Sequence, residues 1–319
     1  MGSDGLDHRT PESVATAVDL LADLPDAELV LDSRRSTALA NSERAGSVTL
    51  VDVSHLDALS GIERVAGEES DEGEPDDGES DEGDPDHGEP DHGTIRVGAA
   101  TPVADLANHD AVRTAATAVA EASSAVDDDP TGGRATVGAT LAAPEPESAL
   151  PAAALATGAT VRVHRPDGEH AVSVDDFFDG ANPASASALE SGFVTALELP
   201  RGSAVSASAY EKKPSLASGD ALVGVAARLT ADGDTVTDAR VAANGVTREP
   251  VRIEGVEAAL AGATLDAGTP EAVAQRAGDR LAERTILADQ RASARFRRQL
   301  LGAYTERAVE SAAGRAGLL

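Results

Sequence analysis

The chain has 319 residues and a formal net charge of −30, from 56 acidic against 26 basic side chains. It contains no cysteine, so it has no disulfide, no thiolate nucleophile and no iron–sulfur cluster bound by cysteines of its own. The heavy negative charge disfavours nucleic acid as a partner, because phosphate binding requires clustered Lys and Arg.

The types of charged and apolar side chain indicate a salt-adapted protein. Lys212 and Lys213 are the only lysines, and Phe, Tyr and Trp together make 2% of the chain. Dense carboxylates keep water and cations at the surface in high salt, and small apolar side chains limit association where salting-out strengthens burial. Since the sequence has no run of about 18 apolar residues and no basic-then-apolar pattern of a signal peptide, we expect a cytoplasmic protein.

The first part of the chain predicts short strands and helices. Residues 11–24 are predicted to form a helix capped by Thr10, because Val14, Val18 and Leu21 fall on one face. Strands are predicted at 28–31 and 47–53, a hairpin at 62–65 and 94–98, and helices at 102–107 and 112–126.

An acidic segment, residues 67–93, interrupts the predicted hairpin. Positions 68–92 contain 14 acids and neither Lys nor Arg. Self-repulsion and the lack of apolar residues predict a solvated, disordered insert. It lacks the order of acids, glycine and closing glutamate of an EF-hand, so we predict no metal site there, nor at His87 and His92.

The second part of the chain predicts another mixed region followed by a sheet. Residues 136–137 are predicted to enter a loop, 147–157 a helix, 160–164 and 170–174 a hairpin, and 193–199 a strand. Three antiparallel strands (204–210, 221–230 and 236–243) and three helices (254–261, 270–281 and 292–313) follow. The pattern predicts an α+β fold with a C-terminal subdomain of three antiparallel strands plus helices.

Motifs of self-contained catalysis are absent from the sequence. It has no nucleophile elbow, Walker loop, Rossmann glycine fingerprint, zinc-type histidine pair or kinase signature. We therefore predict no catalytic residue in this chain. His109, His164 and His170 are expected to be surface or hairpin residues.

Three stretches, in this order and spacing, resemble a known family. They are 134-RATVGATLAAPEPESALPAAALATGATVRV-163, 209-AYEKKPSLASGDALVGVAARL-229 running into 235-TVTDARVAANGVTREPVR-252, and 290-QRASARFRRQLLGAYTERAV-309. With them, nearly the whole chain resembles the flavin-binding medium subunit of molybdenum hydroxylases, the group that contains aerobic carbon monoxide dehydrogenase and the xanthine dehydrogenase flavin domain.

The resemblance implies a fold and a division of labour. Residues 1–200 would form a two-lobed FAD-binding domain of the vanillyl-alcohol-oxidase (PCMH) type, and residues 201–319 a CO dehydrogenase flavoprotein-like C-terminal domain. FAD in this chain would pass electrons from iron–sulfur clusters to an acceptor. Molybdopterin and the 2Fe-2S clusters are expected only on a molybdenum-binding large subunit and an iron–sulfur small subunit.

The resemblance also assigns candidate cofactor-binding residues. Family members bind the FAD pyrophosphate with backbone N–H groups of two glycine-rich loops. The first loop corresponds to Asp32, Ser33, Arg34, Arg35 and Ser36, in which Ser33 and Arg34 stand in place of the glycines. The second corresponds to Thr136, Val137, Gly138, Ala139 and Thr140, in which only the first glycine is kept. Ala149 replaces a family aspartate, and Lys212 matches a basic position near the flavin.

These substitutions leave two interpretations open. In one, Arg34 and Arg35 contact phosphate through their side chains and Thr140 keeps a hydroxyl donor, so an altered FAD site survives. In the other, losing several contacts of about 1 kcal/mol each weakens or removes FAD binding, and the chain is a pseudo-flavoprotein kept for assembly or binding. A nucleotide-binding domain unrelated to molybdenum enzymes would require the three-stretch match to be accidental.

Arginines near the C-terminus form a further candidate surface. Arg291, Arg295 and Arg298 are predicted to share one face of a helix. They can dock a partner subunit, or they can pair with acids of the chain itself.

Deleting residues 68–92 is expected to leave folding and any FAD binding intact, because closure entropy grows slowly with loop length. The free energy of unfolding should change by at most about 2 kcal/mol. Denaturant titration and FAD titration of the full chain and the deletion variant, both in high salt, check this. Loss of folding in the variant would show that the segment is part of the fold.

Overall fold

The computed structural model of the chain describes residues 7–24, 26–31, 48–65, 93–124, 135–178, 192–201, 206–215 and 219–319. These ranges form three β-sheets with helices packed on them, which confirms the α+β prediction. The strands are β1 (Asp7–Arg9), β2 (Ala27–Val30), β3 (Thr49–Asp52), β4 (Ile62–Val65), β5 (Thr94–Gly98), β6 (Thr160–Arg165), β7 (Gly168–Ser173), β8 (Phe193–Pro200), β9 (Ser206–Pro214), β10 (Ala221–Asp232), β11 (Thr235–Asn244) and β12 (Val251–Arg252).

Helices cover one or both faces of each larger sheet. They are α1 (Val14–Asp23), α2 (Val103–Asn108), α3 (Asp110–Ala115), α4 (Thr117–Ser124), α5 (Val137–Ala142), α6 (Ala149–Thr157), α7 (Val174–Phe177), α8 (Glu254–Leu260), α9 (Thr269–Ala274) and α10 (Ala294–Arg315). No helix in the described ranges is both long enough and apolar enough to cross a membrane.

A small parallel sheet and α1 form the N-terminal unit, with strand order β1-β3-β2. The predicted cap of α1 was wrong: Ser13, not Thr10, accepts a hydrogen bond from the Thr16 N–H, at 3.1 Å. Ser13 immediately precedes the first helical residue, where a side-chain oxygen can reach an unpaired N–H of the first turn.

An antiparallel five-stranded sheet follows, in the order β4-β5-β8-β6-β7. Both predicted hairpins are confirmed, since β4 pairs with β5 and β6 pairs with β7. In the second hairpin Arg165 faces Gly168 across the turn, and Gly168 has a φ of 122°, which favours glycine. The predicted acidic insert lies outside the described residues except for Gly93.

Three helix predictions are corrected by the structure. The helix predicted at 112–126 is broken at Ala116, beside threonine hydroxyls that donate to the carbonyls of Asp110 and Arg113 four residues back. Residues 137–142 form α5 rather than a loop. The helix predicted at 270–281 ends at Ala274, after which i to i−3 hydrogen bonds fold the chain into successive turns.

The C-terminal sheet is antiparallel, in the order β12-β11-β10-β9. It contains the three predicted strands and adds the two-residue β12 at one edge. Apolar residues on one face of this sheet join the core of the preceding part of the chain, and those on the other face form a second core with α8, α9 and α10.

Arg297 fixes α10 to that sheet. Its guanidinium is 2% exposed and donates to the carbonyls of Leu222 and Gly245, at 2.7 and 2.6 Å, and to the Asp289 carboxylate at 2.7 Å. These carbonyls lie at the start of β10 and just after β11. A buried charge is tolerated here because an acid and two carbonyls pair with its two terminal nitrogens, while the buried Nε has no partner among the described residues.

Helix α6 forms one contact between the two halves of the molecule; another is made by α4, whose Glu121 accepts a hydrogen bond from the Tyr210 N–H and pairs with Arg315. All nine residues of α6 are buried, and its small side chains allow close packing on β10 and β11. Arg228 of β10 donates to the Thr157 carbonyl at 2.6 Å, and Arg240 of β11 donates to the Leu155 carbonyl at 3.1 Å. Cations at a helix carboxyl end also interact favourably with the helix dipole.

An ion-pair network extends this contact. Asp175 of α7 accepts hydrogen bonds from Arg240 and from Arg252, the second at 2.7 Å. Partial burial of Asp175 acts to raise its pKa, but the hydrogen bonds and charges of Arg240 and Arg252 outweigh burial, so the pKa lies below its usual value. Arg252 also donates to Glu257 at 2.6 Å.

The Asp175→Asn variant is expected to show how this network depends on pH. A lowered folded-state pKa stabilises the fold above the usual value of 3.8, and this contribution is lost as pH falls through the folded-state value. The wild type should therefore be more stable than the variant near neutral pH, by about 1 kcal/mol or less because Asp175 is partly exposed. The difference should shrink below pH 3.8.

Denaturant titration across pH at constant high salt measures this difference. Asp105→Asn, at an exposed aspartate in the first turn of α2, is the matched control and should change stability little at any pH. A pH-independent difference for Asp175→Asn would contradict the assigned network.

Candidate functional site

The second candidate loop, Thr136 to Thr140, forms the start of α5. Thr136 caps this helix and pairs with Pro102 in an isolated bridge. The Val137 N–H donates to the Thr101 carbonyl at 3.0 Å, and the Gly138 N–H donates to the Ala99 carbonyl at 2.8 Å. The amino end of α5 is thereby fixed to the segment that follows β5.

Gly138 is required by packing. A Cβ at this position would lie 2.6 Å from the Cβ of Ala99 and 3.0 Å from Cδ1 of Leu31. Leu31 is the last described residue before the first candidate loop, since Asp32 follows it directly in the chain. Asp32, Ser33, Arg34, Arg35 and Ser36 lie outside the described residues, so their role in cofactor binding stays a prediction.

Ala139 and Thr140 supply the remaining polar groups of the second loop. Both are partly exposed. The Ala139 N–H makes a 3.4 Å contact with Oγ1 of Thr136, at the long end of the hydrogen-bond range. The Thr140 hydroxyl has no hydrogen-bond partner in the described part of the chain, whereas its N–H donates to the Thr136 carbonyl at 3.0 Å.

The second loop thus fits a reduced version of the pyrophosphate cradle. The backbone donors of Val137 and Gly138 already serve the fold, and the methyl group of Ala139 occupies the position of a family glycine. The Ala139 N–H and the Thr140 hydroxyl can still donate to an anion. Most phosphate contacts would then have to come from the first loop.

Lys212 lies on β9, in register with Gly224 of β10. Its ammonium donates to the carbonyl of Gly219 at 3.0 Å, which braces the turn between β9 and β10. Helix α5 packs instead on β5, β8 and α6. A role for Lys212 in cofactor binding stays a prediction.

Ala149, in place of the family aspartate, is the first residue of α6 and is 4% exposed. The segment just before it is tied to the C-terminal sheet, because the Asn244 side-chain amide donates to the Glu147 carbonyl at 3.1 Å. A methyl side chain is compatible with this buried position, where an unpaired carboxylate would be costly.

Tyr210 and Asn244, which the sequence did not single out, form a buried polar contact near this segment. The Tyr210 hydroxyl donates to Oδ1 of Asn244 at 3.0 Å, and burial raises the pKa of Tyr210. Gly224 leaves room for it, since a Cβ there would lie 2.0 Å from the hydroxyl oxygen. The sequence feature that could have drawn attention to this contact is the scarcity of aromatic residues, because Tyr210 is one of only two tyrosines.

Arg295 and Arg298, three residues apart, share one face of α10 as predicted, whereas Arg291 does not lie on it. Arg291 precedes α10 and forms an ion pair with Glu147. Arg298 donates to the carbonyls of Gly278 and Leu281, both at 3.3 Å. Arg295 is exposed and has no partner among the described residues.

The described ranges contain no group of three or more His, Asp or Glu side chains placed to hold a metal ion. His170 lies in the β6–β7 hairpin and contacts Asp167 at 2.8 Å, as expected of a hairpin residue. This contact lowers the pKa of Asp167.

The Gly138→Ala variant is expected to destabilise the protein by about 1–3 kcal/mol, because the added methyl group overpacks Ala99 and Leu31. Gly314→Ala is the matched control: it lies in α10 with open space around it and should stabilise by up to about 1 kcal/mol. Denaturant titration measures both. Equal stability of Gly138→Ala and the wild type would show that Gly138 is not held by packing.

Comparison with known proteins assigns both parts of the chain. Residues 87–202 match the FAD binding domain in molybdopterin dehydrogenase, and residues 208–312 match the CO dehydrogenase flavoprotein C-terminal domain. The carbon monoxide dehydrogenase medium chain of Hydrogenophaga pseudoflava is 26% identical over 307 residues, 96% of each chain. That of Afipia carboxidovorans is 26% identical over 315 residues, 97% of each chain.

Solved structures agree with this assignment. A carbon monoxide dehydrogenase structure from Hydrogenophaga pseudoflava, which lacks the Mo-pyranopterin moiety of the molybdenum cofactor, has a TM-score of 0.78 at 26% identity, covering 99% of each chain. Quinoline 2-oxidoreductase from Pseudomonas putida 86 shares the fold, with a TM-score of 0.78 at 22% identity and 99% coverage of each chain. The chain therefore belongs to the family of FAD-binding medium subunits of molybdenum hydroxylases.

Proposed function

We propose that this chain is the FAD-binding electron-transfer subunit of a molybdenum hydroxylase of the aerobic carbon monoxide dehydrogenase and xanthine dehydrogenase type. It passes electrons from iron–sulfur clusters to an acceptor and is inactive alone. The observation that carries the proposal is the match to carbon monoxide dehydrogenase medium chains over 96–97% of both chains. The substrate is left to the molybdenum-binding subunit.

The proposed FAD site combines the two candidate loops. Arg34 and Arg35 provide charge-assisted hydrogen bonds to the pyrophosphate, helped by Asp32, Ser33 and Ser36 through their backbone. The Ala139 N–H and the Thr140 hydroxyl complete it from the amino end of α5. When bound, FAD supplies the redox chemistry, and the protein's own work is to hold and orient it.

The proposed partners are a molybdenum-binding large subunit and an iron–sulfur small subunit. The relatives are named medium chains, which supports an assembly of several chains. Because this chain has no cysteine, clusters ligated by cysteine must lie on another chain. The division into domains at 1–200 and 201–319 is part of the same proposal.

The proposed setting is the cytoplasm of a cell with high internal salt. The net charge of −30 and the two lysines support it, because a carboxylate-rich surface remains hydrated when salt screens charge repulsion.

One observation favours a second candidate function. The backbone donors of Val137 and Gly138 are used within the fold, and Ala139 replaces a glycine. A medium chain with a weakened or lost FAD site would then serve as an assembly or binding module of the same enzyme.

Titration of the chain with FAD in high salt separates the two candidates. Saturable, one-to-one binding with a perturbed flavin absorption spectrum is the expected result. A protein that ignores FAD while it still assembles with the molybdenum and iron–sulfur subunits would contradict the redox function and support the assembly module.

The Arg34→Ala and Arg35→Ala variants are expected to raise the FAD dissociation constant by about 10-fold to 100-fold each, because each removes a charge-assisted hydrogen bond. Arg64→Ala, at an exposed arginine of β4, is the matched control and should leave FAD affinity unchanged. Unchanged affinity in both loop variants would place the phosphate contacts elsewhere.

A further inference from the structure

The C-terminal segment reverses the charge of the rest of the chain. Residues 269–319 contain nine arginines against six acids, a net charge of +3 within a chain of net charge −30. This segment comprises α9, the turns after it and α10. Several of these arginines are buried or paired with acids of the chain, among them Arg297, Arg280 and Arg315, so the exposed positive charge that concerns docking is that of Arg276, Arg295 and Arg298.

A groove of about 520 Å³ (the α9–α10 groove) lies between α10 and the end of α9 together with the turns that follow α9. Ala274, Ala277, Gly278 and Gly302 are its small lining residues, and Arg298, Gln299, Gln275 and Asp279 supply its polar groups. A Cβ on Gly278 would lie 3.0 Å from Nε of Arg298, so the glycine makes space for that side chain. The groove therefore combines small lining residues with the guanidinium of Arg298.

The arginines at this groove are weakly engaged within the chain. Arg295, on the turn of α10 beside Arg298, is exposed without a partner in the described ranges, as is Arg276, next to the groove residues Gln275 and Ala277. Arg298 contacts only carbonyls at 3.3 Å. By contrast, Arg240, Arg252 and Arg297 are each paired with acids.

An exposed aromatic side chain lies on the same two turns of α10. Phe296 is 43% exposed, although the chain has only four phenylalanines. Exposed aromatics beside arginines are the composition that marks the energetic centre of protein interfaces. In high salt the Debye length shrinks to about 3 Å, so recognition there depends on direct ion pairs and apolar contact rather than on long-range attraction.

We infer that the α9–α10 groove and the first turns of α10 dock a carboxylate-rich surface of another subunit of the enzyme. Arg295, Arg298 and Arg276 pair with its carboxylates, and Phe296 packs against its apolar side chains. This inference rests on the proposed function, because it takes the partner from the same assembly. Charge complementarity selects an acidic protein surface over nucleic acid, which the net charge of the whole chain repels.

The test uses the full chain with its molybdenum and iron–sulfur partner subunits, in high salt. The dissociation constant between purified chain and partner subcomplex is measured for the wild type, Arg295→Glu and Arg295→Glu/Phe296→Ser. We expect increases of about 10-fold for the single and about 100-fold for the double variant. Since Arg295 and Phe296 are exposed, the melting temperature of the isolated chain should not change.

Arg113→Glu, at an exposed arginine of α3 whose side chain has no partner among the described residues, is the matched control and should assemble normally. Wild-type affinity of the double variant would overturn the proposal. Displacement of the partner by a peptide of residues 68–92 would also overturn it, because the acidic segment of the chain itself would then bind the groove. Self-association of the isolated chain that Arg295→Glu abolishes would overturn it too, because a second copy of the chain would then bind there.

The flavin content of each isolated variant is measured in parallel. A chain that binds no FAD but assembles through α10 would disprove the proposed redox function and leave the docking surface standing. A chain that binds FAD and assembles independently of Arg295 and Phe296 would disprove the docking surface and leave the proposed redox function standing.

Discussion

The carboxyl end of α6 is the constraint on which the two halves of this molecule depend. Because the helix is buried along its whole length, its last carbonyls cannot reach water, and leaving them unpaired would cost about 1–3 kcal/mol each. Arg228 satisfies the Thr157 carbonyl from the adjoining sheet, and Arg240 adds a second donor to the Leu155 carbonyl, which also accepts from the Gly158 N–H. The hydrogen bonds that complete the helix therefore also set how the C-terminal sheet lies on the rest of the chain.

Packing within the fold also explains why the chain keeps the architecture of the family although its candidate flavin loops differ from the family's glycine-rich loops. Gly138 is held by Ala99 and Leu31, so its identity is set by packing whether or not a cofactor binds. Ala139 is under no such restriction and has changed. The architecture and the cofactor contacts of the family thus depend on different interactions. A residue that contacts the cofactor can therefore be substituted without disturbing the fold.

The sequence predicted the features that local chemistry determines. The β6–β7 hairpin follows from Pro166-Asp167-Gly168, and the β10–β11 hairpin from Asp232-Gly233-Asp234, since these residues suit tight turns. The sequence predicts a loop at the start of α5, because the carbonyls that fix this helix, those of Ala99 and Thr101, come from elsewhere in the fold. The sequence does not predict the roles of Arg228 and Arg240 for the same reason: both donate to backbone carbonyls, and a carbonyl is present at every position of a sequence. The first loop, predicted from the resemblance alone, lies outside the described residues.

Electron transfer through the assembled enzyme tests the central claim most directly. The enzyme is rebuilt with the chain either loaded with FAD or free of it, reduced with a limiting amount of dithionite, and then mixed with a dye acceptor. If the chain is the electron-transfer subunit, the dye is reduced rapidly only with the FAD-loaded chain. Equal rates with and without FAD would contradict the claim, because electrons would then leave the enzyme by a route that bypasses this subunit's cofactor.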